Sequence, residues 1–372
     1  MNVLFQGGTA DIIVHEKQFD GTLTEIQKAS GGPWGGIYVD EQCMKMWENI
    51  FGEKTVQKMK TKHPDEYLLL VRDWEIKKRD FKIGTDYVTL SVPVALLEKC
   101  KGVTKTSLKK LVSRSSYGDN IVVKGSNKLR ITSAVVHEWF DGPINSLIEH
   151  LRGPEFIKNM PSIKSIILVG GFAESVYVQE KIKEGLPGKT LIVPPEAGLA
   201  VVKGAVQFGH KPNTIQTRVM HYTYGVNCTI PFDEAKHPET AVHIINDKKM
   251  VDDTFSIFVR FLEDVNIGNE KTKTYAPIFN QPTCVLKIFR TLNPDPVFVH
   301  DPGCEELGKV TVKRPDGLLT AGEDIYVTFM FGDTELKVKA KLIGTGEEFF
   351  LPLNCLDEPV NKSSTAACAV FK

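Results

Sequence analysis

The spacing of apolar residues changes once along this chain, and the change limits what its two parts can fold into. Up to about residue 210, strand-like runs alternate with helix-like runs, such as residues 10–15 and then residues 143–151, where a proline opens the predicted helix. From about residue 220, only short alternations of apolar and polar residues remain, as in residues 285–289 and 325–330. The first pattern predicts an α/β domain, and the second predicts an antiparallel β domain.

These patterns divide the chain into three segments. The first, residues 1–214, is predicted to be the α/β domain, with an insertion rich in helix at about residues 40–130. The second, residues 215–356, is predicted to be the antiparallel β domain. The third, residues 357–372, is polar, small and unpatterned, which is typical of a disordered tail.

The charge balance and the hydropathy argue against several classes of partner. The 46 basic side chains equal the 46 acidic ones, whereas a nucleic-acid-binding surface needs a basic surplus or a basic stripe. The longest apolar runs, such as residues 165–169, have the length of a strand and are too short to cross a bilayer. The N-terminus carries no secretory signal pattern. We therefore expect a cytoplasmic protein without a membrane or nucleic-acid partner.

The seven cysteines are scattered, odd in number and never spaced as Cys-x-x-Cys. The nine histidines are dispersed in the same way and form no His-x-x-x-His pair. This usage argues against a disulfide framework and against a structural zinc site. It predicts free thiols in a reducing compartment and no protein-bound metal.

A pair of glycines follows the first apolar run of the chain. Residues 6–11 (QGGTAD) lie between residues 3–5 and a predicted strand, so they should form a tight hairpin turn. Glycines in such a turn allow backbone N–H groups to close on phosphate oxygens, and Thr9 adds a hydroxyl. An ordinary hairpin would contain the same residues, so both interpretations stay open for Gly7, Gly8 and Thr9.

A second glycine pair follows the buried strand predicted at residues 163–169. In residues 168–175 (LVGGFAES), Gly170 and Gly171 connect that strand to a predicted helix. This geometry brings the backbone and a helix N-terminus close to a ligand, although the motif is neither a Walker loop nor a G-x-G-x-x-G fingerprint. Two glycines that pack the helix on the strand would look the same.

Three charged residues lie on one face of a predicted helix at residues 74–79. Glu75, Lys78 and Arg79 are spaced i, i+3 and i+4, which places them side by side. A carboxylate with two cations in this arrangement can hold a ribose and stack on an adenine. A solvated charged face is the alternative, because most such runs have no ligand.

In their order and spacing, these motifs resemble the actin-like ATPase superfamily. The resemblance is to the heat shock protein 70 family, and most of all to its divergent twelfth branch. Residues 1 to about 210 carry the resemblance in the segments 7–11, 30–36 with Asp40, 75–79, 168–175 and 198–206. The motifs are specific jointly and not singly. Fainter similarity to the family's substrate-binding domain continues in residues 224–226, 299–302, 307–310 and 325–333.

The resemblance implies a fold, a ligand and roles for single residues. The fold would be the second lobe of an actin-like, ribonuclease H-like ATPase domain, followed by a β-sandwich. The ligand would be ATP or ADP, with Mg²⁺ arriving through the nucleotide. By resemblance, the site residues are Gly7, Gly8 and Thr9 as a phosphate loop, Gly36 near the phosphates, Glu75, Lys78 and Arg79 around the adenosine, Gly170, Gly171 and Phe172 as the floor, and Glu196 near the ribose.

The same resemblance bears on catalysis. No counterpart of the family's first lobe, with its phosphate loop and catalytic lysine, is present in this sequence. The family's loop reads Asp-x-Gly-Gly-Gly-Thr, and here Leu4 and Gln6 replace the aspartate and the first glycine. Leucine cannot hold Mg²⁺ through water. We therefore expect a chaperone-like, stress-related protein that binds nucleotide but hydrolyses it inefficiently. The alternatives are an ATPase completed by another chain, and a scaffold that no longer binds nucleotide.

In the β domain, residues 325–331 and 335–341 are predicted to form one hairpin through residues 332–334. The second strand alternates apolar residues with Lys337, Lys339 and Lys341. A lysine row of this kind usually protects an exposed edge strand from pairing. The alternative, by resemblance, is that extended apolar peptides or client proteins bind the loops or an edge of this domain.

Overall fold

The computed structural model describes residues 1–102, 106–157, 161–211, 214–245, 247–277, 282–314, 317–319, 323–331 and 336–353. The chain is a mixed α/β protein and divides into two compact units. Unit 1 comprises Met1–His15 and Ala29–Pro212, and unit 2 comprises Glu16–Lys28 and Asn213–Lys372. The predicted tail at residues 357–372 and the predicted turn at residues 332–334 lie outside the described residues.

The first part of the chain alternates strands and helices, as its periodicity predicts. The elements are β1 (Asn2–Phe5), β2 (Ala10–Lys17), β3 (Leu23–Gly32), α1 (Ile37–Phe51), α2 (Glu53–Lys62), α3 (Pro64–Asp80), β4 (Tyr87–Ser91), α4 (Val94–Gly102), α5 (Leu108–Arg114), β5 (Ile121–Lys124), β6 (Lys128–Thr132), α6 (Ser133–Leu151), α7 (Pro154–Ile157), β7 (Ser165–Val169), α8 (Val176–Gly185), β8 (Thr190–Ile192) and α9 (Ala200–His210). Short 3-10 turns at Gly171–Glu174 and Ala197–Leu199 precede α8 and α9.

In unit 1, β1 is the strand that organises the sheet. It pairs antiparallel with β2 and parallel with β7, and β8 continues the sheet in parallel beyond β7. Helices α1, α6 and α8 bury their apolar faces in one core together with these strands. The segment at about residues 40–130 is mostly helical, and it also contains β4 and β5, which pair with β6.

One predicted boundary in unit 1 is wrong. The sequence placed Pro143 at the start of a helix, but α6 begins ten residues earlier, at Ser133, and continues through the proline. Pro143 is buried with the apolar face of α6, so packing compensates for the hydrogen bond that its missing N–H cannot make. Ser175, in contrast, caps the helix predicted after it, because its side chain accepts from the Val178 N–H.

In its described residues, the second part of the chain consists of strands and a short 3-10 turn at Glu239–Ala241. The strands are β9 (Ile215–Val219), β10 (Thr223–Pro231), β11 (Val242–Ile245), β12 (Lys248–Val259), β13 (Asp264–Asn266), β14 (Asn269–Tyr275), β15 (Thr283–Thr291), β16 (Glu305–Lys313), β17 (Ile325–Phe331), β18 (Leu336–Leu342) and β19 (Glu348–Leu353). Five form a sheet in the order β11-β12-β10-β15-β16, and four form a sheet in the order β14-β17-β18-β19. Neighbouring strands in both sheets are antiparallel, as predicted.

The two sheets of unit 2 share one apolar core. Phe258 on β12 stacks on Phe329 on β17 with ring centroids 4.2 Å apart, and both side chains are buried. Inward residues of β18 complete this core, including Val338 and Ala340. The alternation of apolar and polar residues in the sequence therefore marks inward and outward faces correctly.

The lysine row of β18 does not protect an edge. This strand lies inside its sheet, paired with β17 on one side and with β19 on the other. Lys339 and Lys341 face outward and lie 3.8 and 3.5 Å from the Glu348 carboxylate on β19. The row therefore forms cross-strand ion pairs on the solvent face of the sheet, and the interpretation of β18 as an edge strand is wrong.

Within the described residues, no helix is both long enough and apolar enough to cross a membrane.

Candidate functional site

Two glycine turns meet at one edge of the sheet in unit 1. Because β1 and β7 run parallel, with Leu4 opposite Val169, their carboxyl ends lie side by side. The hairpin turn after β1 is closed by the Gln6 N–H, which donates to the Thr9 carbonyl oxygen over 2.9 Å. The Gly170 turn follows β7 at the same edge. The sheet topology thus brings together two motifs that are far apart in the sequence.

Gly170 fits this position because it has no side chain. Its φ of +95° is a conformation that other residues rarely adopt, and a Cβ atom there would lie 1.9 Å from the Phe5 carbonyl oxygen. Its N–H donates to the Ala197 carbonyl oxygen over 2.8 Å. This hydrogen bond connects the Gly170 turn to the 3-10 turn that precedes α9. Gly171 differs from it, because a Cβ atom there would meet nothing within 4 Å.

The glycine-rich run at residues 30–36 lets α1 begin against the hairpin turn. A Cβ atom on Gly35 would lie 2.5 Å from the Gly7 carbonyl oxygen, so only glycine allows this approach. The Ile37 N–H, in the first turn of α1, donates to the same carbonyl over 2.8 Å. On the other side, a Cβ atom on Gly36 would lie 3.2 Å from the Phe172 ring.

A charged cluster from α1 and α3 lies next to these turns. The Lys78 ammonium donates to both carboxylate oxygens of Asp40, over 2.8 and 2.9 Å, and lies 2.7 Å from the Glu75 carboxylate. The other Glu75 oxygen accepts from Arg79 Nε over 2.9 Å. Asp40 also accepts a hydrogen bond from the buried Trp74 indole over 2.7 Å. The helix spacing predicted for Glu75, Lys78 and Arg79 is confirmed.

The environments of these charges differ. The Lys78 side chain is 10% exposed, whereas that of Arg79 is 60% exposed. Partial burial alone would raise the pKa of the Glu75 carboxyl, but hydrogen bonds and positive charge from Lys78 and Arg79 outweigh it and hold that pKa below its usual value. Glu75 therefore stays ionised at neutral pH and orients both cations.

Most predicted site residues line one cavity of about 690 Å³, which we call the glycine cavity. Eight of the eleven predicted residues line it: Gly7, Gly36, Glu75, Lys78, Arg79, Gly170, Gly171 and Phe172. The other lining residues are Leu4, Phe5, Gln6, Ile37, Asp40, Ser175, Gly198 and Val201. Backbone at the two turns forms one wall, and the charged cluster forms another.

Three predicted residues do not line the glycine cavity. Gly8 and Thr9 belong to the same hairpin turn as Gly7 but are not in contact with the cavity. Glu196 has a left-handed backbone (φ 57°), and its exposed carboxylate pairs with Lys203 over 2.5 Å. That ion pair and its hydrogen bond hold the pKa of Glu196 below the usual range.

The floor of the cavity is aromatic. The Phe172 ring packs edge-on against Phe5, with centroids 5.5 Å apart, and stacks on Phe140 at 5.9 Å. Phe172 is only 7% exposed, so it is held by the core and offers its outer surface to the cavity.

Asp40 and Gly198 are two of the lining residues that the sequence did not assign to the site. Asp40 stands four residues after Gly36 and on the same side of α1, and its pairing with Lys78 could only have been inferred by placing α3 beside α1. The Gly198 N–H donates to a Glu174 carboxylate oxygen over 2.9 Å. Both residues belong to the segments that carry the family resemblance, and this membership is their only signal in the sequence.

Asp40 and Glu75 are the acidic residues that line the cavity, and both are already paired with cations. Across the described ranges, no group of three or more His, Cys, Asp or Glu side chains is arranged to hold a metal ion. Leu4, which the resemblance matches to the family's metal-holding aspartate, lines the cavity as an apolar residue.

Comparison with known proteins identifies relatives along most of this chain. It is 28% identical over 358 residues to heat shock 70 kDa protein 12A of Mus musculus and 29% identical over 358 residues to the same protein of Homo sapiens. It is 30% identical over 356 residues to heat shock 70 kDa protein 12B of Homo sapiens. These alignments cover 94%, 94% and 91% of this chain and 53%, 53% and 51% of the relatives. No protein-family model matches the chain.

These relatives confirm the resemblance to the heat shock 70 kDa protein 12 branch. The chain spans about half the length of the curated relatives it matches.

Proposed function

Since the chain is a homologue of heat shock 70 kDa proteins 12A and 12B, we propose that it binds ADP or ATP in the glycine cavity. The observation that carries the proposal is the convergence of eight predicted site residues, from four separate sequence motifs, on one cavity. A cavity of about 690 Å³ also lies within the range typical of small-molecule sites.

We assign the adenosine to the side formed by α3 and the Phe172 turn. Lys78 is held by Asp40 and Glu75, so it places a fixed positive charge beside the ribose, while the carboxylates can accept from the ribose hydroxyls. Among the described residues, Arg79 is bound through its Nε to Glu75, and its planar guanidinium is 60% exposed and can stack on an adenine ring. The backbone of Gly170 and Gly171 would pass under the sugar, where side chains would prevent a close approach.

We assign the phosphates to the edge where β1 ends and α1 begins. Backbone N–H groups at a helix N-terminus and in a glycine turn favour negative charge. Gly7 and Gly36 bring such backbone to the cavity wall without side chains in front of it. Mg²⁺ would arrive with the phosphates, because the paired carboxylates Asp40 and Glu75 do not offer it a site.

We interpret unit 1 as the second lobe of an actin-like, ribonuclease H-like ATPase domain and the two sheets of unit 2 as a β-sandwich. The shared core of those sheets and the homology to heat shock proteins support this interpretation. We further propose a chaperone-like role in which unit 2 binds extended apolar peptides. Outward-facing apolar residues on its four-stranded sheet, such as Tyr326 and Phe350, support that role.

Calorimetry with ADP and ATP on the full chain tests the nucleotide proposal. We expect a dissociation constant that is micromolar or weaker, which corresponds to a binding free energy of about −8 kcal/mol or less favourable. We also expect little preference for the γ-phosphate. Arg79→Ala should cost about 1–3 kcal/mol of binding free energy through lost charge-assisted contacts. Arg72→Ala is the matched control, because Arg72 is an exposed arginine of the same helix that does not line the cavity.

The calorimetric result also separates the rival functions. If neither nucleotide binds and neither raises the melting temperature at millimolar concentration, the chain is better described as an interaction scaffold. Equal weakening by Arg79→Ala and Arg72→Ala would place the nucleotide elsewhere. An ATPase completed by another chain would instead show tight binding only in the presence of that partner.

Titration of the full chain with fluorescent apolar heptapeptides tests the peptide role. Saturable binding that is weakened by Phe350→Ser, and not by Phe19→Ser, is expected. Phe19 is the control because it is also an exposed phenylalanine, but it lies in the segment at residues 16–28. Absence of saturable binding to any apolar peptide pool would contradict the role.

A further inference from the structure

Unit 1 has a second cavity, which the nucleotide proposal does not use. Its volume is about 520 Å³, and we call it the aromatic pocket. It is lined by Pro33, Trp34, Tyr38, Gln42, Tyr117, Glu138, Trp139, Gly142, Pro143 and Ser146. Four of these ten residues are aromatic and come from three separate parts of the chain. Such a concentration of aromatic rings around one cavity favours ligands that interact with π systems.

The two tryptophans are held in place by their neighbours. A Cβ atom on Gly32 would lie 2.4 Å from the Trp34 ring, so the indole rests directly on the glycine backbone. Trp34 also packs against the His150 ring at 5.0 Å. Trp139 is buried and meets the Trp74 ring edge-on at 5.4 Å. The pocket is therefore preorganised, and a ligand would not have to order these rings.

The charge in the pocket is negative. Within the described part of the chain, Glu138 is the only carboxylate among the lining residues, and no lysine or arginine is among them. Glu138 is exposed, and among the described residues no ion pair or hydrogen bond involves its carboxylate. Glu138 lines the same pocket as Tyr117, and burial first, and then the charge of Glu138, raise the pKa of the Tyr117 hydroxyl.

Pro143, inside α6, has no N–H, so the Trp139 carbonyl oxygen four residues earlier lacks its usual helical donor. Both residues line the pocket. The rings and the Glu138 carboxylate attract positive charge, and neither favours an anion.

We propose that the aromatic pocket binds a methylated ammonium group, either in a free choline-like molecule or on a methylated lysine side chain. A methylated ammonium carries its charge over an apolar surface, so it gains cation–π attraction at several rings and loses little hydration. An unmethylated ammonium is strongly hydrated, and its transfer from water costs more. The Glu138 carboxylate at the rim adds an attraction that is independent of the rings.

Tetramethylammonium and choline are the first probes, titrated into the full chain and followed by tryptophan fluorescence and by NMR. The neutral isostere of choline, 3,3-dimethylbutan-1-ol, has the same shape without the charge. We expect saturable binding of both cations and at least about tenfold weaker binding of the isostere. A trimethyllysine peptide and its unmethylated form then distinguish a methylated lysine side chain from a free choline-like molecule. A pocket that binds methylated lysine in proteins should prefer the trimethyllysine peptide over choline.

Two variants separate the charge from the rings. Glu138→Gln removes the charge of an exposed side chain and should weaken cation binding about fivefold, whereas Glu41→Gln, an exposed glutamate nearby on α1 that does not line the pocket, should not. Trp34→Leu keeps apolar volume but removes the π system. It should therefore weaken the binding of the cations more than the binding of the isostere. Circular dichroism and thermal unfolding show whether each variant is folded.

The proposal is overturned by any of three results. These are no saturable binding of any methylated ammonium probe, equal binding of choline and its isostere, or binding of a proline-rich peptide without competition from tetramethylammonium. The last result would identify the pocket as a groove for polyproline helices. None of these outcomes depends on whether the glycine cavity binds nucleotide.

Discussion

A methyl group at position 170 would collide with the backbone of β1. We predict that Gly170→Ala destabilises the protein by about 2 kcal/mol or more, because the positive φ and the contact with the Phe5 carbonyl both oppose a side chain. Gly171→Ala is the control, since its Cβ atom would meet open space. Denaturant unfolding measures both variants. Equal stability of the two variants would show that the turn is not built as described.

At the same scale, the ion pairs of Glu75 predict a pH dependence. Its pKa in the folded protein lies below the value of 4.5 that is usual for glutamate, so the folded state binds this proton less tightly than the unfolded state. The stability that ionised Glu75 contributes is therefore complete above about pH 4.5 and is lost as the pH falls through the lowered pKa.

We predict that Glu75→Gln lowers the melting temperature at pH 7 and that the difference from the wild type shrinks as the pH falls below about 4.5. The melting temperatures of both proteins, measured across this pH range, give the result. Glu41→Gln controls for the loss of an exposed carboxylate for which the described structure contains no ion pair. A Glu75→Gln difference that grows on acidification would contradict the assigned ion pairs.

Among the elements, β17 carries the core that joins the two sheets of unit 2. Phe329 on this strand is fully buried against Phe258, whereas Tyr326 on the same strand is 42% exposed. We predict that Phe329→Ala costs about 3–5 kcal/mol of unfolding free energy, because it removes buried surface and leaves a cavity. Tyr326→Ala should cost less than about 1 kcal/mol. Similar costs would mean that the two sheets do not share this core.

The elements also show where local pattern was sufficient and where it was not. Strand alternation in residues 335–341 predicted the buried and exposed faces of β18 but could not show that β19 lies beside it. Edge and interior strands have the same period, and only the partner decides between them. Likewise, Pro143 is a normal helix-opening residue by local rules, and burial in the unit 1 core overrides the rule.

For the whole molecule, we predict ATP turnover no faster than that of a control preparation. Leu4 lines the cavity where the family would hold a metal through a carboxylate, and phosphoryl transfer depends on positioning and charge neutralisation. Phosphate release by the wild type and by Arg79→Ala should therefore be indistinguishable. Mg²⁺-dependent release that Arg79→Ala removes would establish an ATPase. Leu4→Asp alone should not create one.

The division of the chain into units is also decided at this scale. The segment Glu16–Lys28 lies inside the residue range 1–214 of the first predicted segment, yet its contacts place it in unit 2. Leu23 and Thr24 of β3 pair with β9, a strand from a distant part of the chain. No local pattern in residues 16–28 indicates this pairing, because it depends on which distant strand packs beside β3.

The sequence by itself determined the change from α/β to antiparallel β, the faces of the strands and the glycine turns. It also determined the spacing of Glu75, Lys78 and Arg79, since these properties follow from helix and strand periods and from backbone conformation. Tertiary structure alone brought Asp40 to Lys78, left Glu196 outside the glycine cavity and gathered four aromatic side chains around Glu138. The reason is physical: the period of a helix or strand fixes the direction in which each side chain points. The partners of that side chain, in contrast, depend on how distant elements pack to bury a common core.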